Sequence, residues 1–188
     1  MLIYSRTKNA ERAFEKTDLT ELFEEVEQNF IEEILHKKAV IHISGSFEVN
    51  VIRFQFRQLL QNLISNSLKF SIPDIPPQIN ITSSIVSGKK VKNKQLDAHT
   101  DYCHIVYTDN GIGFSPEYNE RVFQVFQRLH NRSEYKGTGM GLAICRRIIE
   151  NHHGIITASG KLNKGVQFDM YIPVNGLLNK ISTVLEKA

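Results

Sequence analysis

The chain has 188 residues, with 23 Lys and Arg against 20 Asp and Glu for a net charge of +3, two Cys and no Trp. That length suits one domain with a sizeable core and no disulfide staples, and its ordinary apolar and charged fractions exclude a disordered chain. No apolar run nears the ~20 residues of a membrane span, the start lacks a leader pattern, and Cys103 and Cys145 form no paired motif, so a cytoplasmic domain with reduced thiols is expected.

In chain order, Met1 to about Phe14 reads as the end of a helix with charge on most faces. Thr17 or Asp18 then offers an N-cap, with Glu21 set for a capping box. Leu19, Leu22, Phe23, Val26, Phe30 and Ile34 recur at helical spacing, which predicts one amphipathic helix. Residues 18–35 carry seven carboxylates and no cation, leaving 23 cations against 13 carboxylates elsewhere, or +10. The position of those cations, more than their sum, indicates what anion they meet. The stretch AVIHIS reads as a strand and Gly45 as a turn.

A second helix is expected from about Val51 to Phe70. Ile52, Phe56, Leu59, Leu60 and Leu63 form one stripe, and Gln55, Gln58, Asn62, Asn66 and Lys69 another. SIPDIPP ends it. Strands near 78–86 and 102–109 flank a loop with four lysines. Residues 110–136 are polar and irregular, with a short helical patch around FQVF. A third helix runs from about Met140 to a glycine cap at Gly154. His152 and His153 read as cations favoured by its C-terminal dipole. GKLNKG joins two last strands, near 154–159 and 166–172, as a hairpin, and GLLNKISTVLEKA reads as an amphipathic tail. The pattern is α+β, with helices on one face of a mixed, mainly antiparallel sheet.

Three segments carry candidate chemistry. Asn62 and Asn66 lie four apart on one helix face, with Lys69 three further on. A solvated polar face is the simple explanation. The functional alternative is a face turned to a phosphate and its metal, the amide oxygen ligating Mg²⁺ and the ammonium neutralising phosphate oxygens. DNGIGF, at a strand end, is a turn signal. It also sets the acceptor-only carboxylate of Asp109 beside Gly111 and Gly113, which suits recognition of an exocyclic amino group. GTGMGL opens a helix with Gly137, Gly139 and Gly141, so its backbone N–H groups are available to an anion. It is neither a dinucleotide fingerprint nor a P-loop. Between the last two lies VFQVFQRL, where Phe123 and Phe126 are placed to pin a loop. Arg128 beside them is the favoured phosphate cation, whereas Arg132 and Lys136 read as surface charges.

Taken together, QNLISNSLKFS, DNGIGF, VFQVFQRL and GTGMGLAIC resemble, in order and approximate spacing, the asparagine, first glycine, phenylalanine and second glycine boxes of the ATP-binding catalytic domain of sensor histidine kinases. That family is allied to the gyrase and Hsp90 ATPases. The resemblance spans about residues 18 to 173 and implies a two-layer α/β sandwich with ATP between the helix layer and a lid at 115–136. It implies Asn66 as the Mg²⁺ ligand and Asn62 where the ATPases carry a general-base Glu. Lys69 and Arg128 fall on the phosphates and Asp109 on the adenine amino group. Gly111, Gly113, Gly137, Thr138, Gly139, Met140, Gly141 and Leu142 fall around the nucleotide. Gln167 takes the place of a Thr that holds a water-mediated adenine contact.

LIYSRTKNA resembles the end of the preceding dimerisation hairpin, giving a division into 1–17, a catalytic domain at 18–174, and a tail at 175–188. None of the seven His is followed by an acidic residue, so the phosphoacceptor His is expected on a separate dimerisation segment, of the same or a partner protomer. A response regulator receiver domain would follow in the relay. The full-length protein is expected to be a homodimer, with membrane attachment possible through other segments, and no nucleic-acid partner is expected. Transfer from ATP to His is the leading expectation; a gyrase- or Hsp90-type ATP-driven switch and a non-catalytic interaction domain are the alternatives.

Overall fold

The computed structural model describes residues 13–45, 48–91, 93, 95–126 and 139–174, and within them helices and strands form two layers. The expectations for the helix end at 1–12 and the tail at 175–188 lie outside the described residues, as do those for Arg128, Arg132, Lys136, Gly137 and Thr138.

In chain order the elements are β1 (Glu15–Asp18), α1 (Leu19–Gln28), α2 (Ile31–Lys37), β2 (Val40–Ser44), β3 (Glu48–Val51), α3 (Arg53–Lys69), β4 (Gln78–Ser87), β5 (Asp101–Asp109), α4 (Gly141–Asn151), β6 (Ile155–Lys161) and β7 (Gly165–Pro173). Single 3-10 turns at Pro116–Tyr118 and Arg121–Phe123 follow β5. The five-stranded sheet has the order β2-β4-β5-β7-β6. Its β2–β4 pair is parallel and the rest antiparallel. The mixed, mainly antiparallel sheet expected from the sequence is therefore present. Among the described residues, no helix is long and apolar enough to cross a membrane.

The first helical stretch differs from expectation. Asp18 does cap it, accepting from the Thr20 N–H at 2.7 Å, and Leu19, Leu22, Phe23 and Val26 are buried. The chain then breaks at Asn29 and Phe30 and restarts as α2. Gly45 has φ +86, and the strand after it, β3, pairs antiparallel with β1. Neither partner of this small sheet shows a strand signal by itself, because four residues are too few for an alternation to stand out.

Strand alternation sets the core. Ile79, Ile81, Ile105, Tyr107, Phe168 and Met170 are buried on the helix side of the sheet, against Phe56, Leu59, Leu60 and Leu63 of α3 and Cys145, Ile148 and Ile149 of α4. Burial pushes the Cys145 thiol up to about 12 and that of Cys103 to about 11, so both remain neutral packing groups.

His152 corrects the dipole reading. It caps α4 and is buried. The Ile52 N–H donates to its Nε2 at 2.8 Å, and its Nδ1 lies 2.7 Å from the Ile148 carbonyl oxygen. A nitrogen that accepts cannot carry the proton, so Nδ1–H donates and the ring is neutral. Phe14 and Phe56 pack edge-on against it at 5.2 and 4.9 Å. Burial lowers its pKa below the usual 6.5. The stability it contributes is complete above about pH 6.5 and is lost as pH falls toward the depressed folded value, at up to ~1.4 kcal/mol per pH unit. The urea midpoint is expected to fall between pH 7 and 5 in the parent, and to fall less in His152→Gln. Equal slopes would remove His152 as the cause.

Candidate functional site

The polar stripe of α3 is not a solvated face. Gln55, Gln58, Asn62, Asn66 and Lys69 are all half-buried, while the exposed positions of the helix are Phe54, Arg57 and Ser65. The stripe lies along α4, which runs antiparallel to α3. The Asn151 amide donates to Gln55 Oε1 at 3.2 Å near one end. At the other end, a Cβ on Gly141 would stand 3.6 Å from Asn62 Oδ1 and 3.9 Å from Asn66 Nδ2. The first residue of α4 therefore faces both asparagines, joining two motifs some 75 residues apart. Asn62 Nδ2 is buried and lies beside the Cys145 thiol, its side-chain hydrogen-bond neighbour in the core.

Asp109 ends β5 and meets α3 at Ser67. Its Oδ2 accepts from the Ser67 hydroxyl at 2.7 Å, and its Oδ1 from the N–H groups of Gly111 at 3.0 Å and Val166 at 3.3 Å. Burial raises its pKa above the usual carboxylate value, and these three donors oppose that rise. Ser67 Oγ is also 2.8 Å from the Tyr107 hydroxyl. Neither Ser67 nor Tyr107 stood out in the sequence. The usable signal was a polar residue four after Leu63 on the apolar stripe, since a buried hydroxyl needs a partner.

The two glycines of DNGIGF are held by the chain itself. A Cβ on Gly111 would stand 2.6 Å from the Phe70 carbonyl oxygen, and one on Gly113, whose φ is +58, would overlap the Lys161 carbonyl. Ile112 and Asn163 add backbone bonds to Phe70 and Ile112, of 2.9 and 2.7 Å. The loop is thus fastened to the end of α3 and to the β6–β7 hairpin. Gln167 does not reach it. β7 turns that side chain to the face away from the helices, where it donates to Asp169 Oδ2 at 2.8 Å. Position 166, one residue earlier, is the one that meets Asp109.

Of the phenylalanine pair, Phe123 is buried against Phe168, while Phe126 is exposed. The cation that meets Phe123 is Arg146 of α4, its guanidinium carbon 4.3 Å from the ring centroid and its Nη2 3.0 Å from Glu120. The Lys69 ammonium lies 4.4 Å from the Phe70 ring centroid. Gly139 has φ +72, and Met140 precedes α4 and Leu142 lies in its first turn.

Paired amides facing the first residue of α4, and a carboxylate at the end of β5 held by three donors, are chemistry that suits a nucleotide. The comparisons agree with that chemistry. The family model described as "Histidine kinase-, DNA gyrase B-, and HSP90-like ATPase" matches residues 51–176. The chain is 36% identical over 176 residues to cyanobacterial phytochrome A of Nostoc sp. (strain PCC 7120), covering 94% of this chain and 21% of that protein. It spans about a fifth of the length of such curated relatives. The solved catalytic domain of histidine kinase ThkA, nucleotide-free, superposes with a TM-score of 0.66 at 29% identity, covering 86% of this chain and 97% of that one. Another structure holds ThkA in complex with the response regulator protein TrrA, with a TM-score of 0.63 at 26% identity, covering 86% of this chain and 42% of that one.

Proposed function

The chain belongs to the histidine kinase-, DNA gyrase B- and HSP90-like ATPase family, and from that premise we propose that it is the catalytic domain of a two-component sensor kinase, passing the γ-phosphoryl group of ATP to a histidine on a separate dimerisation segment. The observation that carries this reading is Asn62. It is an amide beside Asn66 and Gly141, where activation of water would need a carboxylate. An amide has no basic lone pair to take a proton from water. An acceptor imidazole is its own nucleophile, so transfer needs alignment and charge neutralisation more than a base.

Asp109 would accept from the adenine amino group, Asn66 Oδ1 would ligate Mg²⁺, and Asn62 and the α4 N-terminus would hold phosphate oxygens. Lys69, from the last turn of α3, supplies a phosphate cation, a role also assigned to Arg128. The chemistry that Mg²⁺ would supply there is neutralisation of phosphate charge. Arg146 holds the base of the lid through Glu120 and Phe123. By analogy with the ThkA complex, a response regulator is the next partner, through its receiver domain in our reading; that the full-length protein works as a homodimer is part of the same proposal and rests on the resemblance alone.

The deciding experiment supplies labelled ATP, Mg²⁺ and a histidine-bearing dimerisation hairpin. Label on that histidine, with little hydrolysis when the hairpin is left out, is the expected result. Steady hydrolysis without an acceptor would replace the kinase reading with an ATP-driven switch. Asn66→Ala is expected to remove most of the Mg²⁺-dependent gain in ATP affinity, on the order of tenfold, while leaving metal-free binding near the parent's. Calorimetry with and without Mg²⁺ separates the two.

A further inference from the structure

We propose that Ser67 and Tyr107 are positioning residues that set purine choice: a one-way hydrogen-bond chain, Tyr107 to Ser67 to Asp109, holds the carboxylate as an acceptor only. This rests on reading the crease as an adenine-nucleotide site. Ser67 Oγ lies 2.7 Å from Asp109 Oδ2 and 2.8 Å from the Tyr107 hydroxyl oxygen. The serine has one proton. Against an ionised carboxylate it must donate that proton, so its lone pair is left to accept from Tyr107. Tyr107 is fully buried, and an unpartnered hydroxyl there is costly.

The chain cannot run backwards without loss. A protonated Asp109 would donate to Ser67 and Ser67 to Tyr107, and the phenol proton would then have no place on Ser67. The buried tyrosine thus favours the ionised carboxylate. Gly111 and Val166 hold Oδ1 from the backbone, so Ser67 is the side-chain donor among the groups acting on Asp109. Those groups are Ser67 on α3, Gly111 after β5 and Val166 on β7, none of them charged. The Tyr107 phenol and the Cys145 thiol behind the chain stay neutral, burial raising both. A 6-amino purine brings a donor to such a carboxylate. A 6-oxo purine brings a second acceptor and is rejected.

The test titrates the full chain calorimetrically with ATP and with ITP, its 6-oxo counterpart, from pH 5.5 to 8. Ser67→Ala is expected to weaken ATP about tenfold and to narrow the ATP-over-ITP preference, most strongly at the acid end. Ser67→Thr keeps the hydroxyl and keeps the preference. Tyr107→Phe shifts both readings the same way by less. Ser67→Ala strands the phenol, so the double variant Ser67→Ala/Tyr107→Phe is expected to regain stability while the preference stays narrowed. Parental preference in Ser67→Ala at every pH would overturn the proposal.

The carbon-13 carboxyl resonance of Asp109, followed in nucleotide-free protein, gives a reading that needs no ligand. Its titration midpoint is expected to rise by about one pH unit in Ser67→Ala; an unmoved midpoint also overturns the chain. If the parent binds neither nucleotide, the proposed function fails and this midpoint still decides the role of Ser67.

Discussion

Asp109→Asn is expected to weaken ATP binding about 100-fold or more, ~3 kcal/mol, with the fold retained. The magnitude follows from what the carboxylate already does. Its Oδ1 accepts two backbone N–H groups and its Oδ2 the Ser67 hydroxyl. The amide keeps one oxygen, and the two fixed backbone donors claim it. The amide nitrogen then lies on the Ser67 side, where it presents a donor to the serine proton and a donor to the adenine amino group. Ser67 turns its proton toward Tyr107, and the buried phenol competes with it. Calorimetric titration of ATP checks the loss, and circular dichroism checks the fold. Parental affinity would remove Asp109 from the site.

Gly165→Ala has the largest expected effect on folding, about 4 kcal/mol of destabilisation and a melting temperature lower by roughly 10 °C. Gly165 has φ +92, and a Cβ there would overlap the Asp109 carbonyl oxygen. Backbone rather than a movable side chain fills that space, so relief requires shifting the β5 end against the β6–β7 hairpin. Gly141→Ala is the informative contrast. Its new methyl would make only ordinary contact, 3.6 Å from Asn62 Oδ1, at the start of a helix. Stability is expected to hold or rise by up to ~1 kcal/mol, while ATP affinity falls because the methyl enters the crease. Thermal melts and titrations of both variants separate a glycine the fold needs from one the ligand needs. A stable Gly165→Ala protein, or unchanged ATP binding in Gly141→Ala, would reverse the assignments.

This contrast shows what motif reading blurs. Gly111, Gly113 and Gly141 all entered as residues around a nucleotide, because glycines in such a setting signal close approach. At Gly111 and Gly113 the approaching group is the protein's own backbone, from Phe70 and from the β6–β7 hairpin. At Gly141 the neighbours are two amide side chains that face the crease. The letter is the same in each case, and the neighbour that explains it comes from a distant part of the chain.

Local pattern was enough for the long elements. The extents of α3, β4, β5, α4 and the β6–β7 hairpin follow from periodicity, from SIPDIPP and from turn residues, because each depends on neighbours within a few residues. The order of the four boxes, and with it the family, was likewise present in the sequence. The break between α1 and α2 and the β1–β3 pair were not, since short elements draw their stability from tertiary partners. His152 looked like a helix-end cation and is a neutral strut, because its state depends on the Ile52 N–H, 100 residues away in sequence. Ser67, Tyr107 and Val166 join Asp109 through strand and helix packing alone. Sequence by itself determined the family and the long elements, since residue type and spacing are local properties. Tertiary structure decided which groups are dry and which are paired, because burial and hydrogen-bond direction belong to the assembled fold.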